Sequence, residues 1–440
     1  MYTAYIGQRI IDLYNEEVRD DEPLSPREFF DEVFFPVFFD HKKYLMWVNN
    51  APFDQAYKQR KNTPLTAEVR EKALTKFHED VNELEEPYNP LYIGGIDGNV
   101  TEYTSGQQTN LPLSAEPDEV YATWIGSAAG IGVSSGLSLL IDEDEVLLAL
   151  LEGWEQCRRF MEQTPNVRAH KVNSWNGWWI THRFGPDYRT DDPLRDLDPK
   201  MSKKGKELEF ATREWAQVLF TLARQFPKRK PTAYIYNISY RRNTTVGFRP
   251  LHLPEIQRLT EWYTHLFGDV EGVRPQALAE VYKAAFSFYH ACEQGTIGLK
   301  AIEPNKLRQY MPSGRGETKQ PSAPSTQNQR TRHYIFQTWI IAMLNNEELL
   351  EVAGNAAEAL RAHAKSGKRG RATPKRRAEQ VLDASNKRGF VEQLTEVLEN
   401  DGEHAAHFEE LVEQVVTMPA SDFPLFLTLI KFKYVAADHS

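Results

Sequence analysis

Apolar positions in the first third of the chain come in bursts rather than in a steady rhythm. Residues 29–39 carry the pairs Phe29-Phe30, Phe34-Phe35 and Phe38-Phe39 around Pro36. Such doublets predict a buried helix broken at the proline, with a docking surface as the alternative. Residues 66–86 read as a charged helix, Thr66 capping it and Glu68 in its first turn. Residues 94–117 read as a polar loop. Residues 120–125 are strand formers, followed by Gly126, Gly130, Gly132 and Gly136 and an apolar run over 137–141.

A long helix is announced next. Asp142 stands as its cap and Glu145 completes a capping box, while Val146, Leu147, Leu150, Leu151, Trp154, Cys157, Phe160 and Met161 recur at helical spacing until Pro165. Residues 171–180, with Trp175, Trp178 and Trp179 around Asn176-Gly177, predict a turn flanked by core aromatics, or a surface where Trp and Asn meet a partner. Residues 187–199 read as a linker or surface excursion. Residues 207–226 predict a helix, 232–240 an alternating strand, and 254–268 and 275–294 two more helices. Over 311–330 nearly every position is Pro, Ser, Gly, Gln or Thr, a composition that cannot pack a core. Beyond it helical spacing returns at 334–364, 375–384, 388–399, 403–416 and 422–436.

The pattern predicts an α+β protein. A mixed α/β region over 1–310 is followed by a flexible linker at 311–330 and an all-α helical bundle over 331–440.

Composition agrees with packed cores: 440 residues, 41% hydrophobic and 12% aromatic. The two cysteines, Cys157 and Cys292, fall in helical patterns, which argues against a disulfide framework or a cysteine zinc site. No run reaches the length of a membrane helix, and the first residues lack the basic and apolar regions of a signal peptide, so the expected location is the cytoplasm with no membrane partner. A net charge of −10 argues against binding nucleic acid by bulk electrostatics. Local charge changes that picture, because basic residues cluster at 228–230, at Arg241-Arg242 and over 365–388.

The chain lacks a GxSxG elbow, a phosphate-binding Walker loop, an HExxH zinc helix and a CxxC pair. Gly130, Gly132 and Gly136 miss the dinucleotide spacing by one residue, and 137–141 separates them from the helix that would hold a pyrophosphate. His404 and His407 share a helix face with Glu410 but bring no further ligand. A nucleotide-dependent or metal-dependent enzyme using residues 126–136 or these histidines is the alternative reading; the leading one is a binding protein with no catalytic residue, cofactor or metal.

Three sets of side chains are candidates for nucleic acid. Lys228, Arg229 and Lys230 precede the predicted strand, and Arg241, Arg242 and Asn243 follow it, suited to phosphates and base edges. Gln107, Gln108 and Asn110 form the alternative loop for reading a duplex. Lys365, Lys368, Arg369, Arg371, Lys375, Arg376 and Arg377, interrupted by Gly367, Gly370 and Pro374, suit a phosphate backbone followed without regard to sequence.

The domain order resembles the large subunit of type I CRISPR effector (Cascade) complexes, in the compact form of the I-A and I-B branches. Stretches that carry the likeness are residues 124–140, 173–177 (Asn173-Ser-Trp-Asn-Gly177), 243–247 with 254–256, and 339–343 (Trp339-Ile-Ile-Ala-Met343). The resemblance implies a non-catalytic subunit that assembles with CRISPR RNA and other Cascade subunits. It would help recognise the protospacer-adjacent motif in double-stranded target DNA, open the duplex, stabilise the displaced single strand and present the assembly to a separate helicase-nuclease. Some relatives carry a cysteine zinc ribbon, which this chain cannot form.

Overall fold

The computed structural model describes residues 2–61, 64–84, 91–93, 115–134, 136–164, 166–237, 245–267, 288–293, 297–304, 306–312, 318–366, 373–399 and 404–436. The fold is α+β: helices surround a small antiparallel sheet in the first part of the chain, and the last part is helical. Two compact units are distinguished. The first holds Met1–Leu253 and Ser287–Ile297, the second Pro254–Phe286 and Gly298–Ser440. The segment read as a linker, 311–330, lies within the second, and a helix capped by Thr326 starts inside it at Gln327.

The first unit is built on aromatic packing. Helix α1 (Tyr2–Glu17) leads to α2 (Pro26–Phe29), one π turn (Phe30–Phe34) and α3 (Phe35–Phe38). Pro36 sits in the first turn of α3, where its missing N–H is not needed, and the widened π turn before it lets the chain stay helical across the proline. All six phenylalanines of the doublets are buried. Phe30 stacks on Phe77 of α5 (Ala67–Asn82) at 5.0 Å, Phe39 on Phe53 of α4 (Pro52–Lys58) at 4.2 Å, and both Phe39 and Phe77 meet Trp124 edge-on. Thr66 caps α5 as the sequence predicts.

Residues 120–125 are not a strand. They belong to α6 (Pro117–Ala128), which has Pro117 at its first position and Asp118 and Glu119 in its first turn, both favourable at a helix start. Its apolar run comes from burial on every side. Gly126 and Gly7 allow α1 to lie against it, since a Cβ on Gly126 would sit 1.9 Å from the Thr3 carbonyl oxygen and one on Gly7 1.7 Å from that of Ala122.

A hairpin of β1 (Ile131–Val133) and β2 (Leu137–Ile141) follows, then α7 (Asp144–Gln163). Asp142 does not cap α7. The helix begins at Asp144 with no side-chain cap, because the Asp142 carboxylate is turned to Tyr5 and Glu145 to Gln225. Residues 172–183 are likewise no turn but helix α8 (Val172–Arg183). Asn176-Gly177 reads as a turn, yet Gly177 serves packing: a Cβ there would reach within 2.7 Å of the Gly132 carbonyl. The tryptophans of α8 are core, as expected, and each indole N–H has a backbone partner: Trp175 donates to Gly153 at 2.7 Å, Trp178 to Ala211 at 2.7 Å and Trp179 to Ala149 at 2.6 Å.

The predicted helix over 207–226 divides. Its start is β4 (Glu207–Phe210), paired with β3 (Met201–Lys204) across Gly205, whose φ of +66° suits only a turn residue, and the helix α9 spans Trp215–Gln225. Strand β5 (Thr232–Asn237) then pairs with β2 and with β6 (Thr245–Pro250), giving the antiparallel order β1-β2-β5-β6. Helix Phe288–Glu293 lies beside β6, with Phe288 against Trp215 at 5.2 Å and the Arg249 side chain donating to the Cys292 carbonyl.

In the second unit, α10 (Leu253–Phe267) precedes two 3₁₀ turns and six helices: Gln327–Leu344, Glu348–Lys365, Pro374–Leu382, Lys387–Leu398, Ala405–Thr417 and Phe423–Ala436. The pattern over 334–364 is thus two helices. Asn345, at φ 51°, takes the left-handed conformation that ends the first. Phe423–Ala436 is buried nearly all round, as a central bundle helix must be.

Candidate nucleic-acid interface

The basic candidates are not gathered in one place. Lys228, Arg229 and Lys230 form an exposed turn before β5. Arg229 is already engaged there: it pairs with Glu143, lies 3.8 Å from Glu145 and covers the Phe226 ring at 5.2 Å. Lys228 and Lys230 have no ion pair among the described residues. Arg241, Arg242 and Asn243 lie outside the described residues, on the connection at the far end of β5. A six-residue strand separates the two groups by about 20 Å.

Gln107, Gln108 and Asn110 also lie outside the described residues, as do Lys368, Arg369 and Arg371. Lys375, Arg376 and Arg377 occupy the first turn of Pro374–Leu382, where Thr373 caps the Arg376 N–H. Lys375 and Arg376 are exposed, and Lys375 reaches only Glu379, at 3.9 Å. Cations at this end oppose the helix dipole, so they are not there for the helix's benefit.

An aromatic face that no sequence motif announces lies on the sheet. Alternation along β5 turns Ala233 and Ile235 into the core and Tyr234 outward, opposite its cross-strand partner Phe248 on β6. Their rings lie 5.1 Å apart, and the start of α1 adds two more: Tyr2 meets Phe248 edge-on at 4.9 Å and Tyr234 at 5.2 Å, and Tyr5 stacks on Tyr2 at 5.7 Å. Phe248 and Tyr5 remain half exposed, at 52% and 50%. The signal was present in the alternating strand, but the partners from α1 are more than 200 residues away in sequence.

One flank of this face is acidic. The Tyr5 hydroxyl donates to Asp142 at 2.6 Å, and Arg9 pairs with Asp144 at 2.8 Å. Together with Glu143 and Arg229 they line a cleft of about 470 Å³. The hydrogen bond to Asp142 raises the Tyr5 pKa, and burial pushes that of Tyr2 up to about 12, so both phenols are neutral donors at pH 7.

The glycine segment serves packing rather than a ligand. A Cβ on Gly130 would sit 2.4 Å from the Tyr236 hydroxyl and 2.5 Å from Asn173 Nδ2, and one on Gly132 2.8 Å from the Asn173 carbonyl. Asn173 and Asn176 donate to the Gly130 carbonyl at 2.9 and 3.0 Å, so side chains of α8 fill the place a phosphate would need. His404 precedes the helix Ala405–Thr417 and His407 is exposed on it; among the described residues no group of three or more His, Cys, Asp or Glu could hold a metal ion. A second cleft, of about 450 Å³, holds Glu152, which Arg183 (2.8 Å) and the Tyr188 hydroxyl (2.5 Å) occupy fully.

Among the described residues no helix is long and apolar enough to cross a membrane. Compared with protein-family models, with curated proteins and with solved structures, the chain matches none.

Proposed function

We propose that this chain is a non-catalytic, nucleic-acid-binding subunit, the large subunit of an RNA-guided DNA-binding complex of the type I CRISPR kind. The observation that carries the reading is the exposed aromatic face of Tyr2, Tyr5, Tyr234 and Phe248, on the pair of strands whose connection contains Arg241, Arg242 and Asn243. Rings that present their faces or edges to solvent take unstacked bases, and guanidinium groups beside them take phosphates. The particular complex is inferred from the sequence likeness alone. In this reading the subunit works with CRISPR RNA and partner subunits, meets duplex target and displaced strand, and leaves cleavage to a helicase-nuclease.

The test is purification of the chain with the products of its own operon. Short guide RNA and partner subunits should accompany it, and the paired change Tyr5→Ala with Phe248→Ala should weaken single-strand binding roughly tenfold or more, as expected for base stacking worth ~1–3 kcal/mol per base. Purification free of nucleic acid, with no affinity for any strand at low salt, would refute the reading.

A further inference from the structure

A closed aromatic box lies in the first unit, away from the sheet face. Its walls are Phe39, Tyr44, Trp47, Phe53, Asp54 and His170, around about 180 Å³ of unfilled space. Three polar atoms on these walls are buried and have no hydrogen-bond partner: the Tyr44 hydroxyl, Asp54 Oδ1 and His170 Nε2. Buried polar groups are nearly always satisfied, so three orphans around one small space are unusual. Asp54 is only 3% exposed, and its other oxygen is committed to the Asn50 backbone N–H at 2.9 Å and the Lys58 ammonium at 2.7 Å.

The backbone around the box is strained as well. Asn50 and His170 both adopt left-handed conformations, at φ 65° and 64°. The His170 N–H is held by the Tyr44 carbonyl at 2.8 Å, which fixes the ring between Trp47 and Tyr57, each at 4.6 Å. Strain of this kind persists where the surroundings hold it, often at sites that bind.

The chemistry of the walls selects the occupant. Burial, with help from Arg60, Arg168 and Lys171, drives the His170 pKa down to about 3, so the imidazole is neutral. Burial keeps the Tyr44 phenol protonated. An organic cation is disfavoured, because Lys58 already neutralises Asp54 and further cations surround the box. A flat neutral ring with both donors and acceptors matches a carboxylate oxygen, an imidazole nitrogen and a phenol. Lys58 and Arg60, which cover the Trp47 and Tyr57 rings at 5.4 and 3.9 Å, stand at the rim where a phosphate would follow. The space is small beside ordinary ligand pockets of ~300–1,000 Å³, which limits the occupant to one ring system.

We propose that this box is a recognition pocket for a single unstacked nucleobase, with Trp47 as its gate. Trp47 is 40% exposed and lies in the irregular stretch between α3 and α4, whereas the other walls are fixed in the core. With Trp47 in place the space admits not even a water, so entry requires that ring to swing out. The proposal rests on the nucleic-acid reading above.

The experiment uses the full chain. Binding of the four single-strand homopolymers and of the four nucleoside 5′-monophosphates is measured for wild type and for Asp54→Asn, Tyr44→Phe and Trp47→Ala, with Tyr5→Ala/Phe248→Ala as the comparison. One base should be preferred at least tenfold. Asp54→Asn should change which base is preferred, and Trp47→Ala should weaken strand binding about tenfold. A strand carrying 5-iodouridine should crosslink to Trp47 or Tyr44 in the wild-type protein, a readout that needs no variant to fold. Mononucleotide binding with the same preference assigns the site to the base itself; binding of strands alone, still crosslinked there, assigns it to an extruded base within a strand. If strands bind with unchanged preference in all three box variants and crosslinks fall elsewhere, the pocket proposal is overturned while the function stands. If wild type binds neither strand nor mononucleotide, both fall.

Discussion

Lys431 is buried inside the terminal bundle at 1% exposure, and its ammonium has no hydrogen-bond partner. Desolvation lowers its pKa in the folded protein, with Asp383 only partly opposing the shift. The unfolded lysine keeps its ordinary, higher value, so between the two values the unfolded chain binds the extra proton. Stability of the bundle therefore rises as pH climbs through that window, and the cost of the buried charge is fully present below it. Lys431→Met should stabilise the protein by about 1–3 kcal/mol at pH 7, the usual cost of an uncompensated buried polar group. Urea melts at pH 7 and pH 10 check this; the gain should shrink at the higher pH, and a variant less stable than wild type at both would show that the ammonium has a compensating partner.

At the scale of elements, the first and sixth helices are joined through glycines. Gly126→Ala should push α1 away from α6 and cost about 3 kcal/mol, at the upper end for overpacking, because the obstructing atom is backbone and cannot rotate aside. Gly354→Ala, in the middle of Glu348–Lys365 with nothing within 4 Å of the new methyl, should instead stabilise by about 0.5–1 kcal/mol. Denaturant midpoints of the two variants should move in opposite directions. The same packing explains what could be read from the sequence. Amphipathic elements were legible: α5 with its Thr66 cap, β5 by its alternation, and the helices 374–382, 387–398, 405–417 and 423–436. The elements misread, α6 and α8, are buried on nearly all faces, so no polar face marks the 3.6-residue period and strand formers or Asn-Gly dominate the local signal. The aromatic face and the box were illegible for another reason. Each unites residues far apart in the chain, such as Tyr2 with Phe248 and Tyr44 with His170, and no spacing rule joins them.

For the whole molecule the distribution of charge matters more than its sum. A chain of net charge −10 repels a polyanion at long range, so any binding must be local and short-ranged. The exposed cations at the start of Pro374–Leu382 are suited to that, being far more solvent-facing than Arg229, which Glu143 holds. Replacing Lys375, Arg376 and Arg377 by Ala should reduce the slope of log affinity against log salt by about 0.7 for each single-strand phosphate that the variant no longer neutralises, with no change in sequence preference. Titrations of the assembled complex at several salt concentrations measure it. An unaltered slope would return these residues to the role of solubilising charge.

The order in which the chain builds its two units also bears on how the protein can be inherited. Neither unit is a continuous stretch: 254–286 belongs to the second, and 287–297 returns to the first. In that return Phe288 packs on Trp215, the Cys292 carbonyl receives Arg249, and Ile297 bridges to Leu251. A gene divided at any single point between 253 and 298 leaves one product carrying a piece of the other's core. Fission of this protein into two freely exchangeable subunits would therefore need two breaks and a rejoining, whereas recombination at its extreme ends would meet no such barrier.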